Sequence, residues 1–278
     1  MHIRIIRPDD RLNEGVITAV RHIVRELVQH RDHISTAFRQ DFRTLYQGTF
    51  FGVAWNVLLP LTPVMLYALL ALRGVLPGFE GVNPASYVAL GATIWFLLAG
   101  CIQQPLQTVR SRNTEVMKTA LPLSAMVISG FAQILFDTLV RMAFVAVVIL
   151  ITSTKLTWSA VLLPVVLVPA ILFFFGIGLI LAMANVIYAD VGRVTMIVLQ
   201  YGIFLSGVIF PVSSLPFSEI LAWNPAYIFI EEARVLFFRG LPENAWLLGI
   251  YAILGAAVLL LGCRIFYLME YRVRGIGG

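Results

Sequence analysis

Charge is scarce in this chain. Of its 278 residues only 13% are charged and 59% are hydrophobic, against about 25% charged and 45–50% apolar in a soluble domain. That excludes an ordinary soluble fold. Lysine is nearly missing: of 20 basic residues only Lys118 and Lys155 are lysine. Histidine stops at His33; the four are His2, His22, His30 and His33. His30 and His33 share a helix face, but no third ligand stands near them in sequence, so solvated histidine is the default and no metal is expected. The two cysteines, Cys101 and Cys263, sit in or beside apolar runs and form neither a disulfide framework nor a CxxC motif. No GxxxxGK[ST] occurs; Met117 precedes the Lys118-Thr119 pair where a glycine is required. HExxH and GxSxG are also missing, and no loop gathers several aspartates. These absences remove P-loop ATP binding, zinc hydrolysis and serine hydrolysis. The net charge of +5 is better explained by membrane orientation than by nucleic acid.

What is present is apolar length. The mean hydropathy is +0.88, and the pattern predicts an all-α integral membrane protein with six transmembrane helices. Residues 1–49 form a cytoplasmic or interfacial segment, 50–268 the six-span membrane domain, and 269–278 a cytoplasmic tail. The first segment is charged for about fifty residues before the first long apolar run, which is no signal-peptide pattern. Ile23, Val24, Leu27, Val28 and Ile34, then Phe38, Phe42, Leu45 and Tyr46, recur near helical spacing. They predict one or two amphipathic helices on the membrane surface, with Arg39, Asp41 and Arg43 off the apolar face.

The expected spans are 50–72, 85–103, 123–151, a fourth within 156–189, 194–218 and 245–263, each near the roughly 20 residues a bilayer requires. Pro60 and Pro63 kink the first. Trp95 and Phe96 sit deep in the second, as packing or as a pore lining. Asp137 and Arg141 in the third are four residues apart, share a face and can pair. Two readings stand: a cavity wall or gate, and a structural ion pair. Pro164 and Pro169 break the fourth run, where Gly176 and Gly178 permit close helix approach. Residues 108–122 read as a short helical loop outside the membrane, and 226–240 as an amphipathic helix with Glu231, Glu232 and Arg234. With six spans, fifteen basic residues fall on the side of the termini and four on the other. The positive-inside rule then places both termini in the cytoplasm.

Residues 185–225 organise the whole. A polar turn with Asp190 and Arg193 leads into an uncharged run, and Pro211, Pro216 and the Asn224-Pro225 pair then break the chain. Such a segment reads as an external re-entrant hairpin between spans five and six.

Several short marks share an order. Arg43, Tyr46, Gly48, Gly52, Trp55 and Pro60 open the membrane domain. Lys118 and Pro122 close a basic loop. Asn185, Val186, Tyr188, Asp190, Leu199, Gln200 and Pro211 follow, and Asn224-Pro225 ends the series. Together these marks resemble the permease subunit of type-2 class ABC transporters that export polysaccharide such as O-antigen, capsule or teichoic acid. Ala189 stands where that family carries arginine. The resemblance implies a homodimer in a bacterial cytoplasmic membrane, docked to two ATPase subunits that hold the ATP and Mg, with no cofactor on this chain. Its substrate would be a polyprenyl-pyrophosphate-linked glycan, and periplasmic export proteins would be further partners.

The resemblance also assigns roles. Arg110, Arg112, Glu115, Lys118, Asp190 and Arg193 would contact the ATPase, and Phe38, Arg39, Phe42, Arg43 and Tyr46 would form the interfacial helix. Pro211, Leu215, Pro216, Leu221, Trp223, Asn224 and Pro225 would form the external gate. Trp55, Trp95, Phe96, Asp137 and Arg141 are channel candidates. Competing readings are a type-2 permease for a lipid or small molecule, and a membrane-embedded transferase. The transferase needs a converging polar set that this sequence does not show.

Overall fold

A computed structural model describes residues 14–46, 48–55, 58, 62, 65–66, 82–118, 122–212 and 217–275, with the backbone alone at 41, 43–46, 53, 112–118 and 271–275. Among these residues every regular element is helical. In chain order they are α1 (Val16–Gln29), α2 (Arg31–Tyr46), a 3₁₀ turn at Gly52–Ala54, α3 (Pro84–Lys118), α4 (Leu123–Ile151), a 3₁₀ turn at Trp158–Leu162, α5 (Leu163–Ile187), α6 (Asp190–Leu205), α7 (Ser218–Leu221), α8 (Pro225–Phe238) and α9 (Ala245–Gly275).

Four segments are long and apolar enough to cross a membrane: Pro84–Ser111, Leu123–Ile151, Trp158–Ile187 and Ala245–Glu270. They coincide with the expected second, third, fourth and sixth spans. The expected first span, with Pro60 and Pro63, lies outside the described residues but for 50–55, 58, 62 and 65–66.

α3 is the hub. Of its most apolar window 78% is buried, against 17% for α9, so α3 is enclosed by protein while α9 shows most of its surface to lipid. α4 and α5 flank α3, and α9 lies against α5. Lipid tails are as apolar as leucine, so close packing, not the hydrophobic effect, holds such helices together. The α5–α9 seam shows how. A Cβ built on Gly176 would lie 2.6 Å from the Leu259 backbone nitrogen, and one on Gly262 would lie 2.7 Å from the Gly176 carbonyl. Gly178 meets the α3 backbone at Cys101 in the same way, as its place in the sequence predicts.

Three expectations are corrected. First, 108–122 is no separate loop helix: α3 continues unbroken through Pro105 to Lys118. Second, the uncharged run 194–218 is not one continuous helix. α6 has 16 residues and ends at Leu205, about 24 Å at 1.5 Å per residue, short of a hydrocarbon core of about 30 Å. Gly207, at φ +68°, turns the chain out of the helix in a conformation that glycine adopts freely. Third, α8 is not amphipathic on a surface. Nine of its residues are buried, Glu232 and Arg234 among them. Pro164, expected to break the fourth run, instead stands in the first turn of α5, where its missing N–H has no helical acceptor to lose.

Two helices form in the N-terminal segment, as the apolar spacing predicts. α1 packs on α9 and α4, and α2 on α4. They lie at the end of the bundle where α3 and α9 finish and α4 begins, called here the terminal end.

Candidate functional site

The opposite end is built on Arg234. Its side chain is 1% exposed, and a buried guanidinium survives only when its donors are met. Nε donates to the Tyr87 carbonyl at 3.2 Å, one terminal nitrogen to the Gly207 carbonyl at 2.8 Å and the other to the Val208 carbonyl at 3.0 Å. The Glu231 carboxylate lies 3.3 Å from the guanidinium and accepts from the Tyr87 hydroxyl at 2.6 Å. The Tyr87 ring faces the cation at 3.6 Å from its centroid. One side chain thus joins the start of α3, the turn after α6, and α8. Arg234 takes the Gly207 and Val208 carbonyls of the turn beyond α6, while the Leu205 carbonyl at the end of the helix accepts from Asn224. Burial first, and then the Glu231 carboxylate, push the Tyr227 phenol up to about 12.

Around this core the cap is closed by side chains bonding to backbone. Asn224 caps α8 by accepting from Ala226 N at 3.0 Å, while its amide donates to the Leu205 carbonyl at 3.2 Å. Asn224-Pro225 therefore ties the end of α6 to the start of α8, with Pro225 in the first turn. Glu232 accepts from Glu243 N and from both Asn244 N and its side-chain amide, which fixes the entry to α9. Tyr251 donates to the Trp223 carbonyl at 2.6 Å. Ser86 shares its hydroxyl with Thr152 and Thr154, and Ser159 donates to the Leu236 carbonyl.

Of the expected gate residues, Trp223, Asn224 and Pro225 meet in this cap. Leu221 is half-buried in α7, Pro211 is half-buried, and Leu215 and Pro216 lie outside the described residues. Phe217, at φ 63°, starts α7 in a strained left-handed conformation. It is exposed, as are Ile220 and Trp223.

The terminal end carries the other candidates. Asp190 and Arg193 pair at 3.1 Å in the exposed first turn of α6. Behind them Asn185 accepts from Gly192 N at 2.9 Å and sets the turn. Arg110 is exposed on α3, where Arg112, Glu115 and Lys118 follow on the same helix. Phe38 and Phe42 are half-buried on α2, with Phe42 edge-on to Phe136 at 5.0 Å, and Arg39 is exposed; the side chains of Arg43 and Tyr46 lie outside the description. Glu26 accepts from Ser124 at 2.9 Å, Tyr267 donates to Glu14 at 2.6 Å, and Glu270 accepts from Leu123 N at 3.0 Å. α1 and α9 are thereby fastened to the start of α4.

The channel candidates separate. Trp95 is buried in the core around α3. The Arg141 guanidinium, itself buried, lies over the Phe96 ring at 5.0 Å, and Asp137 accepts from Gln133 at 2.8 Å. Trp55 is 46% exposed and stands edge-on to Phe51. The Arg234 cluster was missed by sequence reasoning. Glu231, Glu232 and Arg234 stand together in a half-apolar helix and give no local sign of burial, and the acceptors of Arg234 lie up to 147 positions away.

An all-helical bundle of long apolar helices, with two shorter helices packed at one end and a cap of broken helices at the other, has the build of a membrane transport subunit. The sequence profile of the family described as ABC-2 type transporter matches residues 32–238, and the chain belongs to that family as its membrane permease, a transport subunit without an ATPase domain within these residues. Relatives include two proteins from Klebsiella pneumoniae, each described as O-antigen export system permease protein RfbA. One is 24% and the other 23% identical over 245 residues, covering 84% of this chain and 90% of the relative. Family membership implies an ATPase partner.

Proposed function

We propose that this chain is the membrane half of an exporter that moves a polyprenyl-pyrophosphate-linked polysaccharide across a bacterial cytoplasmic membrane. It works as a homodimer with two ATPase subunits that bind and hydrolyse ATP with Mg. The observation that carries this reading is the likeness to O-antigen permeases along nearly the whole of both chains.

The terminal end is cytoplasmic, consistent with its arginine excess. There Arg110, Arg112, Glu115, Lys118, Asp190 and Arg193 receive the ATPase. The expected first span, 50–72, and α6 with the turn that follows it would complete six crossings. α6 reaches across because the stretch 207–225 dips back from the outer side as a hairpin. Irregular backbone at that depth needs shielding by protein or a water-filled cavity, and Arg234 supplies donors for its carbonyls. Residues 211–225 close the outer mouth of a path between two copies, and aromatic side chains along the path stack on sugar rings without reading an exact sequence.

Deleting the gene in its host tests this. Surface glycan should disappear while its lipid-linked precursor accumulates inside, and the wild-type chain should restore export. Unchanged surface glycan, or accumulation of a different lipid or small molecule, would replace glycan with another substrate.

A further inference from the structure

Beneath α1, at the terminal end, lies a crevice of about 290 Å³ that the transport reading does not use. Val24 and Leu27 of α1 roof it, Val127 and Phe131 of α4 and Phe175 of α5 form its walls, and Phe266 of α9 closes its end. No polar atom is exposed inside. Along α4 it runs from Ser124 to Phe131, about 10 Å into the apolar layer at 1.5 Å per residue. A helix about 10–12 Å across cannot enter a slot of this size, but a single alkyl chain can.

The order of residues around α1 says which way the crevice opens. At 3.6 residues per turn, Val20, Ile23, Val24 and Leu27 share the face over the crevice. On the protein side, Glu26 bonds Ser124 and the His22 ring lies 5.0 Å from that of Tyr267. On the other side comes an exposed apolar strip of Ile17, Val24 and Val28, which suits contact with lipid. Next around the helix are Arg21 and Arg25, both exposed. A lipid chain passing under the apolar strip into the crevice leaves its headgroup beside these two arginines.

We propose that this crevice binds one anionic phospholipid of the adjoining leaflet, its acyl chain between α1 and α4 and its phosphate at Arg21 and Arg25. Basic side chains at a membrane surface favour anionic headgroups, and arginine suits phosphate in particular. The apolar lining gives any acyl chain the same fit, so the headgroup decides the preference. The site lies outside the cap and the ATPase-facing residues, and its occupancy by phospholipid does not depend on which cargo the exporter carries.

The test uses the full chain in vesicles of phosphatidylglycerol and phosphatidylcholine, with a photoactivatable group in the acyl chain of one lipid at a time. Cross-links from phosphatidylglycerol should concentrate on residues 20–27 and 124–131. The double variant Arg21→Ala/Arg25→Ala changes exposed side chains only. It should lower the preference for phosphatidylglycerol over phosphatidylcholine by about tenfold, while Val127→Trp should abolish the cross-links by filling the slot. Cross-links spread evenly over α4 and α9, equal labelling by the two lipids in the wild type, or displacement of phosphatidylglycerol by a polyprenyl phosphate at equal concentration would each overturn the proposal. None of these readouts depends on export.

Discussion

At the scale of single residues, Arg234 carries more structural consequence than any other charge described in this protein. Three carbonyls and a carboxylate converge on it. Removing one partner of such a buried set strands the others, which costs about 3–5 kcal/mol. Arg234→Ala should therefore sharply lower the unfolding midpoint of the purified protein. Arg234→Lys should recover only part of the loss, because one ammonium cannot span the three carbonyls that the planar guanidinium reaches. Equal midpoints for wild type and Arg234→Ala would show that the cap is held by its apolar contacts alone. The sequence could not disclose this role. Glu231, Glu232 and Arg234 in a half-apolar helix look like a solvated face, and burial contradicts that only because acceptors arrive from Tyr87, Gly207 and Val208. By contrast, the capping role of Asn224 is local, and the Asn-Pro pair signals it directly.

Helix existence was legible and helix length less so. Long, mainly apolar runs mark α4 and α9, and α4 begins and ends where its pattern predicts despite Asp137 and Arg141 within it. α6 stops short because Gly207 adopts a left-handed conformation and its carbonyls are captured elsewhere, neither of which hydropathy can express. The glycines of the α5–α9 seam were readable as sites of close approach, though not which helix approaches. That seam supports a second prediction. Gly176→Ala places a methyl group where the Leu259 backbone nitrogen would lie 2.6 Å away, and the obstacle is backbone, so a side chain cannot move aside to relieve it. Overpacking of this kind typically costs about 1–3 kcal/mol. Gly249→Ala is the matched control in α9, since a Cβ there meets nothing within 4 Å. A lower unfolding midpoint is expected for the first and none for the second; equal midpoints would mean that the helices separate without penalty.

At the scale of the whole molecule, the proposed function gives the two ends different work, and each can be disturbed alone. Reversing Arg110, Arg112 and Lys118 to glutamate should release the ATPase in co-purification while leaving the unfolding midpoint unchanged. All three stand on the part of α3 that runs past the apolar core, and exposed pairs contribute so little singly that the triple change is needed. ATPase binding as tight as in the wild type would move the docking surface elsewhere. At the other end, Phe217, Ile220 and Trp223 present exposed apolar surface, and apolar surface at a dimer axis seals best against its own symmetry mate. Ile220 is 72% exposed, so a cysteine there can reach its twin without disturbing the Arg234 cluster behind it. Leu221, half-buried in the same short helix, provides a less accessible comparison. If the proposed homodimer forms, Ile220→Cys should cross-link under mild oxidation in the resting state. The cross-link should stop glycan export, leave ATPase binding intact and be reversed by reductant. Efficient cross-linking with export at the normal rate would mean that the path does not open between the two α7 helices, and the gate would have to be sought within each copy.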